Sequence, residues 1–179
     1  MRSGGYTLIE LMVAISIMAI LGIIAFVNFK DFSQDQILNK AVGQVQTYLR
    51  LAQSNATSGL KCNDNPAESW MIEFETNQTD IKLKCKSASS ADIEKQTLTL
   101  EGNVIVDSIS GTTCVNATFH DSTMTVVYGN LYGKPSFILA KGRSNECIAD
   151  VSSITITLKR NSSTPKSLVI NKGGAIRVQ

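Results

Sequence analysis

Chemistry in this chain is concentrated in a few groups, and the first is an acid in a costly place. Over the 23 residues Thr7–Phe29 the chain is predominantly apolar and carries one charge, Glu10. At 1.5 Å per residue that run makes a helix of about 35 Å, enough to cross a hydrocarbon core of about 30 Å. A carboxylate inside such a span costs about 2.5–3.5 kcal/mol, so it needs a partner and marks a function. On a helix, the residue one turn back from Glu10 is Tyr6.

Four cysteines form the second set: Cys62, Cys85, Cys114 and Cys147, all beyond the apolar run. An even count outside the cytoplasm reads as disulfides, with three connectivities open to four thiols. Their spacing contains no C-x-x-C, which argues against zinc. Neighbours in sequence pair most easily across adjacent strands, so the expected bridges are Cys62–Cys85 and Cys114–Cys147. Each is worth about 2–4 kcal/mol to a small head.

The remaining candidates are weaker. His120, the only histidine, sits in Phe119-His120-Asp121-Ser122. Adjacent loop residues cannot face one another as a base, an acid and a nucleophile must. No G-x-S-x-G, H-E-x-x-H or phosphate-cradling glycine loop is present. The expectation is therefore a solvated loop histidine, no catalytic site and no cofactor. Asn63-Asp64-Asn65 lacks the central glycine and distant glutamate of a calcium loop and reads as a polar loop, with no metal. After Asp150 there is no acid, while Lys159, Arg160, Lys166, Lys172 and Arg177 make the tail basic. Such a row either contacts phosphates or protects a solvated strand edge.

These groups need elements to hold them. Leu38, Val42, Val45, Leu49 and Ala52 recur at three- and four-residue spacing, so the apolar helix continues as an amphipathic one. Gly59 supplies a stop, which predicts one helix over Tyr6–Ser58, with Gly22 and Gly43 as weak points inside it. From residue 68 the period becomes two. Short strands are expected at Trp70–Glu75, Ile81–Cys85, Thr97–Leu100, Val104–Ile109, Met124–Tyr128, Ser136–Ala140, Ile154–Leu158, Leu168–Ile170 and Ala175–Val178. Gly173-Gly174 marks the clearest hairpin. A long helix on an antiparallel sheet is an α+β head. The net charge of +2 at pH 7 does not by itself call for nucleic acid. The roughly 120 residues from Leu60 onward suffice for one core, not two.

The N-terminus carries a resemblance. Gly5-Tyr6-Thr7-Leu8-Ile9-Glu10, followed by Leu11-Met12-Val13-Ala14, resembles the class III leader of type IV pilins and type II secretion pseudopilins. The resemblance implies a prepilin peptidase that cuts between Gly5 and Tyr6 and methylates the new amine of Tyr6. Tyr6 stands where the family more often has Phe. It also implies a partner for Glu10, an assembly residue whose carboxylate meets the Tyr6 amine of a neighbouring subunit. In low dielectric either charge alone is costly, which favours the pair. The implied organisation is a cleaved leader over 1–5, a transmembrane and filament-core helix over 6–29, an amphipathic continuation over 30–59, and a disulfide-bonded β-rich head over 60–179.

Later residues sharpen the likeness. Leu49-Arg50-Leu51-Ala52-Gln53-Ser54, Trp70 at the start of the first strand, and the ending Val169–Val178 are similar to GspH/FimT-type minor pilins and pseudopilins. The implied protein is a non-catalytic subunit held in the inner membrane by one span, with its N-terminus cytoplasmic and its head periplasmic. It would then join a pilus or pseudopilus through contacts with other pilin subunits. Some members of that subfamily bind DNA through a C-terminal Gly-Arg-x-Arg. Here the stretch is Gly174-Ala175-Ile176-Arg177, so the first Arg is missing. Lys172 and Arg177 are the candidate DNA contacts. DNA uptake is thus the second reading and a tip adhesin the third.

Overall fold

The structure, a computed structural model, describes the backbone of residues 5–88, 91–112, 118–129, 133–139, 151–160 and 163–179. Side chains are described at those positions other than 24–31, 112, 118–121 and 139. Among the described residues a long helix, α1 (Leu8–Thr57), precedes the strands β1 (Ala67–Glu75), β2 (Asp80–Ser87), β3 (Ile93–Thr99), β4 (Ile105–Thr112), β5 (Thr118–Asp121), β6 (Thr123–Gly129), β7 (Pro135–Leu139), β8 (Ser153–Lys159), β9 (Lys166–Asn171) and β10 (Ile176–Val178). The architecture is α+β, as expected.

The helix begins and ends where local chemistry satisfies its free backbone groups. Thr7 is the N-cap, its hydroxyl accepting from the Glu10 amide at 3.3 Å. At the other end Gly59 takes a φ of +67°. The Leu60 amide then reaches the Asn55 carbonyl, and the Gly59 amide reaches that of Ala56. That pair of bonds is a Schellman cap, which glycine allows without steric penalty. In the second half Leu38, Ala41, Val42, Val45, Tyr48, Leu49, Ala52 and Ala56 form a buried stripe. It packs on β1 and β6 and also touches β8 and β9. Each large apolar side chain buried there is worth about 1.5–3 kcal/mol.

The strands form two sheets, not the single sheet expected from the sequence. Their orders are β3-β2-β1-β6-β7 and β10-β9-β8-β4-β5, every neighbouring pair antiparallel. The division falls at the short 3-10 turn Glu101–Asn103, where Gly102 (φ +72°) and Asn103 (φ +58°) redirect the chain out of the first sheet. At one corner the sheets are joined by backbone bonds. The Asn77 amide donates to the Val106 carbonyl at 2.8 Å, and the Val106 amide to Gln78 at 3.0 Å. Period-two alternation is clear in β6 and β8, whose inward residues (Met124, Val126 and Tyr128; Ile154, Ile156 and Leu158) share one core with the helix stripe.

Two expectations on strands are corrected. Residues 118–121, read as the loop holding His120, form β5, with His120 opposite Ser110 of β4. Thr118 and Phe119 favour a strand, and pairing with β4 extends it through His120 and Asp121. β3 begins at Ile93 and not at Thr97, because Glu94-Lys95-Gln96 can be strand when it lies at a sheet edge, where charge is favoured. The Gly173-Gly174 hairpin forms as expected, the Asn171 amide bonding to the Ala175 carbonyl at 3.0 Å.

Candidate functional site

Gly5, Tyr6 and Thr7 precede the helix, so the Gly5–Tyr6 bond lies in non-helical backbone. A Cβ at Gly5 would meet nothing within 4 Å, and Tyr6 is 84% exposed. The bond is thus accessible, and the glycine is not required by packing in this chain. Residues 1–4 of the leader lie outside the described residues.

Glu10 falls in the first turn, three residues after its N-cap. The T-x-x-E order Thr7-Leu8-Ile9-Glu10 is a capping-box sequence, and a helix N-terminus favours a carboxylate. Sequence reasoning placed Tyr6 and Glu10 on one helical face, but the structure puts Tyr6 ahead of the cap, outside the helix. The i, i+4 geometry within one chain is therefore not formed here. In the uncut chain the Tyr6 nitrogen is also a peptide nitrogen, so the amine the pair needs does not yet exist.

Beyond the cap the helix exposes apolar side chains all round. Leu8, Ile9, Leu11, Met12, Val13, Ile15, Ile17, Met18, Ile20, Leu21 and Ile23 are each more than half exposed. A helix apolar on every side has no stable place in water and requires lipid or other helices. Among the described residues no helix is both long and apolar enough to cross a membrane.

The head grips the helix from Ile37 onward. Gly102 sits so close that a Cβ there would lie 2.6 Å from the Ile37 side chain. Lys40 forms an ion pair with Glu101 at 2.5 Å, and Lys166 donates to Asn39. Arg160 Nε donates to the Gly102 carbonyl at 2.6 Å, fixing the same turn from the second sheet. That Gly102 lies between two strands, Thr97–Leu100 and Val104–Ile109, was legible in the sequence; its contact with a helix residue 65 positions earlier was not, because no local pattern encodes it.

Cys62 and Cys85 are bonded, as expected. The bridge ties the segment after the helix to β2, beside Trp70, whose indole N–H donates to the Leu60 carbonyl at 3.2 Å. Cys114 and Cys147 lie outside the described residues. No cluster of His, Cys, Asp or Glu among the described residues could hold a metal ion. In Asn63-Asp64-Asn65 the Asn63 carbonyl oxygen of the side chain accepts from Lys95, a cation already in place.

The basic tail does not form a row of free cations. Lys159 pairs with Asp107 at 3.9 Å, Arg160 and Lys166 have the partners just named, and Lys172 also makes an interaction of its own. Arg177 is exposed on β10, the edge strand of the second sheet.

Comparison with known proteins adds one match. Residues 1–26 match the prokaryotic N-terminal methylation motif. Searches of curated proteins and of solved structures gave no match. The motif implies processing by prepilin peptidase and assembly with other pilin subunits. Its residues include those whose geometry is described above: the non-helical backbone at Gly5 and Tyr6, a capped helix start with Glu10 in the first turn, and exposed apolar side chains up to Ile23. Over residues 1–26 the chain thus carries an N-terminal methylation motif, which supports a class III prepilin leader of the type IV pilin family.

Proposed function

We propose that this chain is a non-catalytic minor pilin or pseudopilin of the GspH/FimT type. It is held in the inner membrane with its head in the periplasm until it enters a type IV pilus or type II secretion pseudopilus. The observation that carries this reading is the contrast along one helix. Up to Ile23 its apolar side chains are exposed, and from Leu38 a buried stripe is covered by the head. The uncovered part is built to be covered by something other than this chain.

In that assembly Glu10 meets the methylated Tyr6 amine of a neighbour, which the position of Tyr6 outside its own helix supports. DNA uptake is the second reading, and the internal partners of Lys159, Arg160 and Lys166 count against it. The processing step is the test. Mass spectrometry of chain taken from membranes containing the peptidase is expected to find a methylated N-terminus at Tyr6. Gly5→Val is expected to leave the full-length chain, because a branched side chain blocks the cut. Mature protein beginning at Tyr6 in that variant would sink the assignment.

A further inference from the structure

The segment that joins α1 to β1 is tied down beyond what its disulfide requires. Cys62-Asn63-Asp64-Asn65 closes as a tight turn, the Cys62 amide donating to the Asn65 carbonyl at 2.8 Å and the Asn65 amide returning to Cys62 at 3.2 Å. Asn63 (φ +47°) and Asp64 (φ +65°) are both left-handed, as the two central residues of a type I′ turn must be. Before the turn, the Trp70 indole holds the Leu60 carbonyl. Within it, Asn63 Oδ1 accepts from Lys95 of β3.

The reach of Lys95 comes from an irregularity in its strand. Across β2 and β3, Leu83 lies opposite Gln96 and Lys84 opposite Glu94, so Lys95 is an extra residue with no cross-strand partner. A bulge of this kind re-aims a side chain. β3 is an edge strand, where bulges and lysines also guard against stray pairing. Guarding an edge does not require the lysine to bond a turn 32 residues earlier. That turn starts at one half of the Cys62–Cys85 bridge, and both cysteines are 0% exposed within the core. Asn63, Asp64, Asn65 and Lys95 are exposed. The turn is thus exposed except at the cysteine that begins it.

We propose that the Lys95–Asn63 bond is a clasp, which holds the Cys62–Asn65 turn closed over the bridge and sets how fast a thiol can open it. Reduction starts when a thiolate attacks one sulfur of the bridge and expels the other as a thiolate. With a dithiol, the second thiol then attacks the mixed disulfide, closes a cyclic disulfide and frees the second cysteine. The protein gains two electrons and two protons, and the dithiol loses them. Neither sulfur can be attacked while both are buried, so the first step waits for a local opening. Cys85 lies within β2, between β1 and β3, and opening there would break strand pairs. Cys62 is held by the turn's own bonds, by Trp70 acting through Leu60, and by Lys95 acting through Asn63. Releasing Lys95 therefore eases the opening and leaves every strand pair in place. This holds whether or not the chain enters a filament.

The test uses the full chain in detergent with dithiothreitol as the reductant, and alkylation with mass spectrometry follows the Cys62 and Cys85 peptides over time. Asn63→Gly keeps a left-handed turn and removes the acceptor, while Lys95→Ala removes the donor. Each is expected to speed reduction of this bridge roughly two- to tenfold, the range that one modest hydrogen bond supports. The double variant is expected to go no faster than either alone, because both remove the same bond. Asn63→Asp keeps an acceptor and sets a charge opposite Lys95, so it is expected to be reduced no faster than the parent. Rates repeated in low urea separate a local opening from global unfolding, since only the latter exposes enough surface to accelerate steeply with denaturant. Parent rates in both single variants overturn the proposal, as does a gain in Asn63→Asp equal to that in Asn63→Gly. Reduction that proceeds only by the urea-sensitive route, in the parent or in the variants, overturns it too, because the turn would then gate nothing.

Discussion

The side-chain amide of Gln53 donates to the carbonyl of Gly133 at 2.9 Å, joining the end of the helix to the entry of β7. Gly133 has a φ of +59°, and a Cβ there would lie 2.7 Å from the Thr57 side chain. Gly174, in the β9–β10 turn, lies beside the same group, its Cβ position 3.4 Å from Gln53 Nε2 and 3.9 Å from the Gly133 carbonyl. One helix residue thus organises two turns, each far from it in sequence. Gln53→Ala is expected to cost about 0.5–1.5 kcal/mol, the net worth of one hydrogen bond. Gly133→Ala combines a left-handed backbone with a steric clash, and about 1–3 kcal/mol is expected. Thermal melting of the two variants beside the parent checks the order, and equal losses would remove the argument.

Glu10 has two candidate roles that one pair of variants separates. Gln can replace Glu in a capping box, but it carries no charge. If Glu10 serves only the cap, Glu10→Gln is expected to assemble normally and Glu10→Val poorly. The charge-pair account expects both variants to be cut and inserted yet to enter filaments poorly, because neither can neutralise the Tyr6 amine. Quantifying mature subunit in sheared filaments gives the answer, and normal entry of Glu10→Gln would end that account.

How much of this was legible depends on whether the determinant is local. The helix could be read to within two residues at either end, because Thr7 and Gly59 act on their own neighbourhood. The stripe Leu38, Val42, Val45, Leu49 and Ala52 is buried as its spacing required. Most strands were placed by alternation. The existence of two sheets was not legible, since it turns on Gly102 and Asn103 and on Asn77 meeting Val106, a contact between distant segments. For the same reason Gln53 stood out in the sequence only by likeness, and its bond to Gly133 had no local signature. Tyr6 was misplaced on the helix because hydropathy continues past the cap while the backbone does not.

The Cys62–Cys85 bridge encloses a 23-residue separation, for which about 2–4 kcal/mol of stabilisation is expected. Replacing both cysteines with Ser is expected to lower the denaturation midpoint accordingly. Trp70 is the only tryptophan and lies opposite Cys85 across β1 and β2. Reduction is therefore also expected to change its fluorescence before the head unfolds globally. Peptide mapping without reductant checks the bridge directly, and free thiols at Cys62 and Cys85 in native protein would refute it.

Alkaline pH tests the core from within. Tyr128 is 1% exposed on β6, and burial pushes its phenol from 10.0 up to about 12. The folded chain therefore holds that proton after the unfolded chain has lost it. The resulting stabilisation is fully present below pH 10 and is lost as pH rises through about 12, to the extent of about 2–3 kcal/mol at 1.36 kcal/mol per unit. Tyr128→Phe removes the titrating group while keeping the ring. It is expected to unfold less steeply than the parent over that window, and phenolate absorbance should report Tyr128 ionising only as the parent unfolds. A phenolate signal from Tyr128 near pH 10 in folded protein would show that water reaches the ring, and the buried core around β6 would need to be redrawn.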